Sequence, residues 1–576
     1  MHPFNIAFPQ LRFLVPSMVA AGLLAIIARA DAATINAASA SLADVTSAIA
    51  LANDGDTVVV PAGNASWTSV LTITKGITLM GATTVTNAGT SNATANDLTI
   101  IRDDSPLNTN QSGLIQASLD STQSFRLTGF TFKYGSRTTA NDIGAVHFTS
   151  NGGNSPVLNM RVDHCHFDHI YGRNIQTDGW VYGVADHNYI VVQANGQSFF
   201  LNCGTYGGYT QGNGAWADFP WLGTNKFFFI EDNTVVGSGL STTSGAMDAE
   251  YGARWVARHN DLTNAHIGWH GTEGANRGCR AVEMYNNAFH WTMAPSQSNR
   301  SGVSLQHDNT WDGISSPDGS HSQINVYREM GAVSTSSTYG IADGTSVWDV
   351  NDTEGDGTYV AGHTPHLFDS GTATAISTQT GLQASLTDSS KHWTANQWAG
   401  YSVTQTNPSA PSYQKGSYII SNTANTITYY CYTAGDRGPT LLFAPNDTYQ
   451  IHRLLSAMDQ TGRGKGDLLS GGSNPVNTVT NAPGWAHQAV EPAFSWNNVF
   501  TPTNTAWGFK SAIPTVVQGR DYYNLGAGFA SSSTPSQVSN MYKASLNGVD
   551  YTGTYTYPHP LVSNVPYPPT NLRIAP

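Results

Sequence analysis

The chain is short of charge. Lys, Arg, Asp and Glu make up 11% of its 576 residues, against about 25% in an ordinary soluble domain. That scarcity excludes coiled coils and helix bundles, which need charged surface stripes. Positive charge is the scarcer sign: 26 Lys and Arg stand against 39 Asp and Glu. A net charge of −13 excludes nucleic-acid binding through bulk electrostatics. Cysteine is also scarce, with Cys165, Cys203, Cys279 and Cys431 alone. They show no C-x-x-C or Cys/His zinc spacing and are too few for a disulfide framework, so they read as structural. Long apolar runs are missing except for Phe13 to Ala28, which is shorter than the ~20 residues of a membrane span. Arg12 precedes this block, and Ala28-Arg29-Ala30 and Ala30-Asp31-Ala32 offer cleavage sites after it. Residues 1–32 therefore read as a secretory signal, and the mature protein as soluble, secreted or periplasmic.

What is abundant is apolar, aromatic and small. Hydrophobic residues reach 40%, aromatics 10%, and Gly is present 57 times. Such a chain is not disordered. Its short apolar stretches, separated by Ser, Thr, Asn and Gly, read as an all-β protein. After the leader, Ser41-Leu42-Ala43-Asp44 opens a helical pattern with Val45, Ala48, Ile49 and Ala52 on one face. The run Thr57-Val58-Val59-Val60-Pro61-Ala62-Gly63 then reads as a strand stopped by Pro and Gly, followed by short strands at 71–73 and 77–81.

A looser unit then recurs: a strand followed by an Asn- or His-bearing corner. It appears as Val162-Asp163-His164-Cys165, Ala185-Asp186-His187-Asn188, Ile230-Glu231-Asp232-Asn233, Ala257-Arg258-His259-Asn260, Met284-Tyr285-Asn286-Asn287 and Leu305-Gln306-His307-Asp308-Asn309. A late copy is Ser495-Trp496-Asn497-Asn498. Alignment puts Asn188, Asn233, Asn260 and Asn287 in one column, where stacked circuits about 4.8 Å apart would let the amides bond along a ladder. The stretch from His187 to Asp232 is long and reads as an exposed loop around Cys203, Trp216 and Trp221.

The opening segment, ADVTSAIALANDGDTVVVPAG followed by LTITKGITLMGA, resembles the N-terminus of the pectin-lyase-like right-handed parallel β-helix superfamily. The resemblance implies a solenoid whose N-terminal helix caps the open end. It leaves the substrate open. On this reading residues 33–365 form the main part of the β-helix and 366–453 a small inserted antiparallel β module. Residues 454–560 then give late circuits and a C-terminal cover, and 561–576 a Pro-rich tail.

Period-2 alternation sorts the strands into faces. One outward column reads Asp163, Asp186, Glu231, Arg258, Tyr285 and Gln306, and its neighbour Arg161, Val184, Phe229, Val256, Glu283 and Ser304. Stacked carboxylates raise each other's pKa or recruit a cation, and relatives of the resembled kind hold Ca²⁺ this way. Asp163, Asp186 and Glu231 are thus the candidate calcium ligands; the competing reading is a ladder of acids closed by an Arg258 ion pair. An all-protein site without a cofactor is the alternative.

A second concentration lies between 247 and 300. Arg254, Arg258, Arg277, Arg280 and Arg300 are dense for a chain so poor in cations, and His259, His266, His270 and His290 are interleaved with them. Arg forks beside flat aromatics suit an acidic sugar, so Arg258, Arg277, Arg300, Trp216, Trp221 and Trp269 are candidate substrate contacts. β-Elimination of a uronate needs its carboxylate neutralised, a base and an acid; Arg254 and Arg280 would neutralise, with His270 and Tyr251 as base and acid. Glycoside hydrolysis needs only paired carboxyls, for which Asp248, Glu250, Glu273 and Glu283 are candidates. A third reading is a non-catalytic glycan-binding adhesin. The leading expectation is an exported lyase acting on a uronate polysaccharide.

Overall fold

The structure, a computed structural model, describes residues 32–105, 113–137, 143–151, 155–194, 196–237, 246–272, 276–292, 298–313, 323–324, 368–412, 416–431, 440–452, 459, 461–464, 489–511, 516, 518–526, 528–530, 533–544 and 548–563. The leader, most of the Pro-rich tail and Glu273 lie outside the described residues. Short β-branched and aromatic stretches form strands, and the chain takes three sheets in rotation. Val157–Asp163 joins the first sheet, His166–Asp168 the second and Arg173–Asp178 the third; Val181–Asp186 then returns to the first. Tyr189–Val191, Gln197–Asn202 and Phe228–Glu231 repeat the cycle. The first sheet has 12 strands, the second 11 and the third 6. Pairing is parallel throughout, except where Thr505–Trp507 closes the second sheet antiparallel. Between the sheets runs one core, in which Val162, Ala185, Ile230, Ala257 and Met284 stack from circuit to circuit. Helix Leu42–Leu51, capped by the Ser41 hydroxyl, adds Val45, Ala48 and Ile49 to that core.

The corner between the first and second sheets turns on one left-handed residue per circuit. His164, His187, Asp232, His259, Asn286, Asp308 and Asn497 all have φ between 50° and 55°, a conformation that Asn, Asp and His tolerate best among residues with a side chain. The next residue carries the ladder. Asn188 donates to Asn233 Oδ1 at 2.9 Å, Asn233 to Asn260 at 3.1 Å, and Asn260 to Asn287 at 2.9 Å. The ladder continues to Asn309 and Asn498, both at 2.9 Å. Each amide also bonds backbone of the preceding circuit, as Asn260 does to the Ile230 carbonyl at 2.9 Å.

The register corrects two readings at one circuit. Tyr285 pairs with His307 and Glu283 with Leu305, so His307 and Leu305, not Gln306 and Ser304, continue the two outward columns. Gln306 follows Met284 instead. The stretch read as an exposed loop is packed down: Tyr206–Gly208 and Asn213–Ala217 are short helical turns, and Trp216 is wholly buried with its indole donating to the Gly278 carbonyl at 2.8 Å. The first sheet's outward face is also covered. Leu222, Phe227, Val538, Tyr542 and Tyr551 pack on Val184, Phe229, Val256, Tyr285 and Leu305, making a second apolar layer. Asp369–Thr372 to Thr448–His452 form a seven-stranded antiparallel sheet with its own core. All four cysteines are buried free thiols, and burial pushes the Cys203 thiol up to about 12. Among the described residues no helix is long and apolar enough to cross a membrane.

Candidate functional site

The third sheet carries polar side chains in register on its outer face, most of them buried: His147, Gln176, Asn202 and Asp248 are only 5–8% exposed. Phe148, Ile175, Phe199, Leu201, Met247 and Ala249 point into the core. Alternation therefore turns their neighbours outward: Gln116, His147, Gln176, Phe200 and Asp248 form one column. Asp178, Asn202 and Glu250 follow in the next. Past Glu250 the sheet continues only through isolated bridges at Ile267 and Trp269, and His270 donates its backbone N–H to the Ala249 carbonyl at 2.8 Å. That contact sets the His270 ring over the end of strand Ala246–Glu250.

The ring lies between two carboxylates. His270 Nε2 is 2.9 Å from Asp248 Oδ2, and Nδ1 is 3.8 Å from Glu250 Oε2. Burial alone would raise the Asp248 carboxyl, but the charge and hydrogen bond of His270, with the Arg300 charge, hold it below the usual range. Gln197 Nε2 also donates to Asp248 Oδ2 at 3.0 Å. The same Gln197 accepts from Arg173 Nε at 3.0 Å, so a continuous chain of bonds runs from Arg173 through Gln197 and Asp248 to His270. The Arg173 guanidinium sits 3.5 Å from the centre of the Phe200 ring. Tyr251 follows Glu250 in a left-handed turn, φ 52°; burial and then the Glu250 charge raise its phenol above the ordinary value. Asp178 is the open member of the group, 47% exposed at its side chain, against 14% for Glu250 and 12% for Asp248.

The structure therefore brings four of the anticipated residues together: Asp248, Glu250, Tyr251 and His270. Arg300 lies beside them, its Nε donating to the Trp269 carbonyl at 3.3 Å. The other arginines are interior. Arg254 is buried on the Tyr206 ring, Arg258 holds Glu231, Arg277 grips Asp459 through two bonds of 2.6 Å, and Arg280 meets Glu491 at 2.8 Å. Glu283 is buried against Tyr551 and His307. Trp269 is a core residue whose indole donates to the Ser301 carbonyl, and Trp221 is half-buried beneath Lys226.

The calcium column meets guanidinium instead. Asp163 accepts from Arg126 at 2.7 and 2.6 Å, Asp186 from Arg161 at 2.8 Å twice, and Glu231 from Arg258 and the His559 backbone N–H. A cation there would have to displace those donors. Among the described residues no group of three or more His, Cys, Asp or Glu is arranged to hold a metal ion.

Sequence reading missed Arg173, Asp178, Gln197 and Phe200. Their strands carry no Asn corner, so only their alternation, as in Gln197-Ser198-Phe199-Phe200-Leu201-Asn202, marks the face. Comparison of the chain with protein-family models, curated proteins and solved structures finds no match in any of the three.

Proposed function

We propose that the chain is an exported right-handed parallel β-helix of the pectin-lyase-like kind that hydrolyses a polysaccharide on the outer face of its third sheet. The observation that carries the chemistry is the His270 ring held between Asp248 and Glu250. The rotation of strands through three parallel sheets supports the fold reading, and parallel crossovers are right-handed in nearly all proteins. Helix Leu42–Leu51 then caps the first circuit. Both hydrolysis and elimination are known on this architecture, so the site must choose between them.

Inverting hydrolysis needs an acid at the leaving oxygen and a base for water on the opposite face, their carboxyls roughly 6.5–9.5 Å apart. Glu250 and Asp178 share a column with Asn202 between them, about 10 Å apart at Cα, and their side chains can close that span. Asp248 fixes the His270 ring, which stands beside Glu250. The Tyr251 phenol keeps its proton and donates a hydrogen bond to the sugar. Arg173, laid on Phe200, suits a sugar carboxylate, which favours an acidic glycan.

Hydrolysis ranks ahead of β-elimination because Arg254 and Arg280, the anticipated neutralisers, are buried away from the third sheet's outer face. Elimination is the second reading, favoured by Arg173 and Tyr251 on the same face, with His270 as base. Incubation with a panel of uronate and neutral polysaccharides separates the readings. Reducing ends without unsaturated uronyl absorbance are expected; unsaturated ends would mean elimination, and binding without new ends an adhesin. Glu250→Gln and Asp178→Asn are expected to lower turnover about 10²–10⁴-fold. Loss of turnover on chelation would return attention to Asp163, Asp186 and Glu231.

A further inference from the structure

Arg254 carries a buried charge with no carboxylate at ion-pair distance among the described residues. It is 2% exposed, at the start of strand Arg254–Arg258 in the first sheet, where residues 203–227 pack. Its Nη2 donates to the Ala215 and Phe219 carbonyls, and its plane lies 4.5 Å from the Tyr206 ring centre. Nε and Nη1 are buried without a hydrogen-bond acceptor. Arg258, Arg277 and Arg280 each face a carboxylate; among the described residues Arg254 faces none within ion-pair distance. An unpaired charge or donor in the interior costs several kcal/mol.

The surroundings are positive. Arg254 and Arg280 act on each other as like charges, and Lys226 is near enough to feel Arg254 and Asp218. Against these three cations stand Asp218 and Glu491. The Asp218 oxygens accept from the Tyr206 hydroxyl and the Phe219 N–H; the Asp218 charge acts on Arg254 but forms no ion pair with it. Tyr182 is 2% exposed, its hydroxyl also buried without a partner. It shares a register column with Phe227 and Arg254, one position before the pairs Gly183, Phe228 and Trp255.

We propose that Arg254 Nε and Nη1, with the Tyr182 hydroxyl, hold one small monovalent anion of the halide class, chloride in a salt medium. Water would satisfy the donors but leave the excess positive charge; a halide answers both. The anion would tie the 203–227 segment to the sheets. That segment in turn backs the candidate site, since Gly212 packs against the Tyr251 backbone so closely that a Cβ there would stand 2.6 Å from its carbonyl carbon. The inference is independent of the hydrolase reading.

The test compares full-length protein in sodium chloride, bromide and gluconate at constant ionic strength. Chloride and bromide are expected to raise the unfolding midpoint saturably, by about 2 °C or more over gluconate. A bromide-soaked crystal should show an anomalous peak in contact with Arg254. Tyr182→Phe should move the halide dependence to higher concentration, and Arg254→Met should abolish it. If Arg254→Met does not fold, the Tyr182→Phe shift and the bromide peak decide. Equal midpoints in all three salts, or bromide only at surface cations, an adventitious ion only, would overturn the proposal.

Discussion

Arg258 shows how this protein handles a scarce charge. Its guanidinium bonds Glu231 at 2.6 Å, the Tyr285 hydroxyl at 2.6 Å and the carbonyls of Tyr555 and Thr556, all away from solvent. Removing one member of a buried pair strands the other, at about 3–5 kcal/mol. Glu231→Gln is therefore expected to lower stability by that order, seen as a drop in the denaturant midpoint. A half-exposed counterpart lies on the second sheet, where His290 stands 3.1 Å from Asp261 and 2.9 Å from Asp312. The Asp261 hydrogen bond, opposed by burial and aided by Asp312, pushes its pKa up to about 9. A raised folded pKa gives stabilisation that is complete below the unfolded value near 6.5 and fades as pH rises through about 9. The stability gap between wild type and His290→Gln should be wider at about pH 6 than at about pH 10; an equal gap would refute the assignment.

The Asn ladder is the element most legible in the sequence. Its residues follow left-handed corner positions where Asn, Asp and His concentrate, so chemistry and spacing agree at each circuit. Each ladder amide is both donor and acceptor, and Asn260→Asp should therefore destabilise nearly as much as Asn260→Ala, about 1–3 kcal/mol by chemical unfolding. An Asp variant as stable as wild type would mean the donated bonds to Ile230 and Asn287 contribute nothing. The strands were less legible than their corners. Counting back from the ladder places Tyr285 beside His307, two residues before Asn287 and Asn309; a slip of one exchanges inward and outward faces, since the side-chain period is 2. The third sheet was the least legible. It has no corner marker, and the left-handed turn at Tyr251 brings the chain from Glu250 to Arg254 without an Asn. His270 and Asp248 were individually visible as polar residues near Gly-flanked segments, whereas Gln197 and Arg173 gained meaning only through register.

At the scale of the whole molecule, the first sheet is covered on both faces. Low charge follows in part from a first sheet whose strands are apolar on both faces. The C-terminal segment supplies the His559 N–H to Glu231, the Leu561 carbonyl to Arg161 and the Tyr551 hydroxyl to Glu283, contacts across hundreds of residues that no local pattern encodes. A chain ending before residue 533 should expose Phe229, Val256, Tyr285 and Trp496 and self-associate, measured by size-exclusion chromatography; a monodisperse monomer would contradict that role. The proposed chemistry lies on the third sheet, around Asp178 and Glu250. Product analysis on a uronate and neutral polysaccharide panel tests this most directly. New reducing ends without unsaturated uronyl groups are expected, lost in Glu250→Gln and Asp178→Asn while both variants stay folded. Ends that persist in both variants, or no cleavage of any member of the panel, would contradict it.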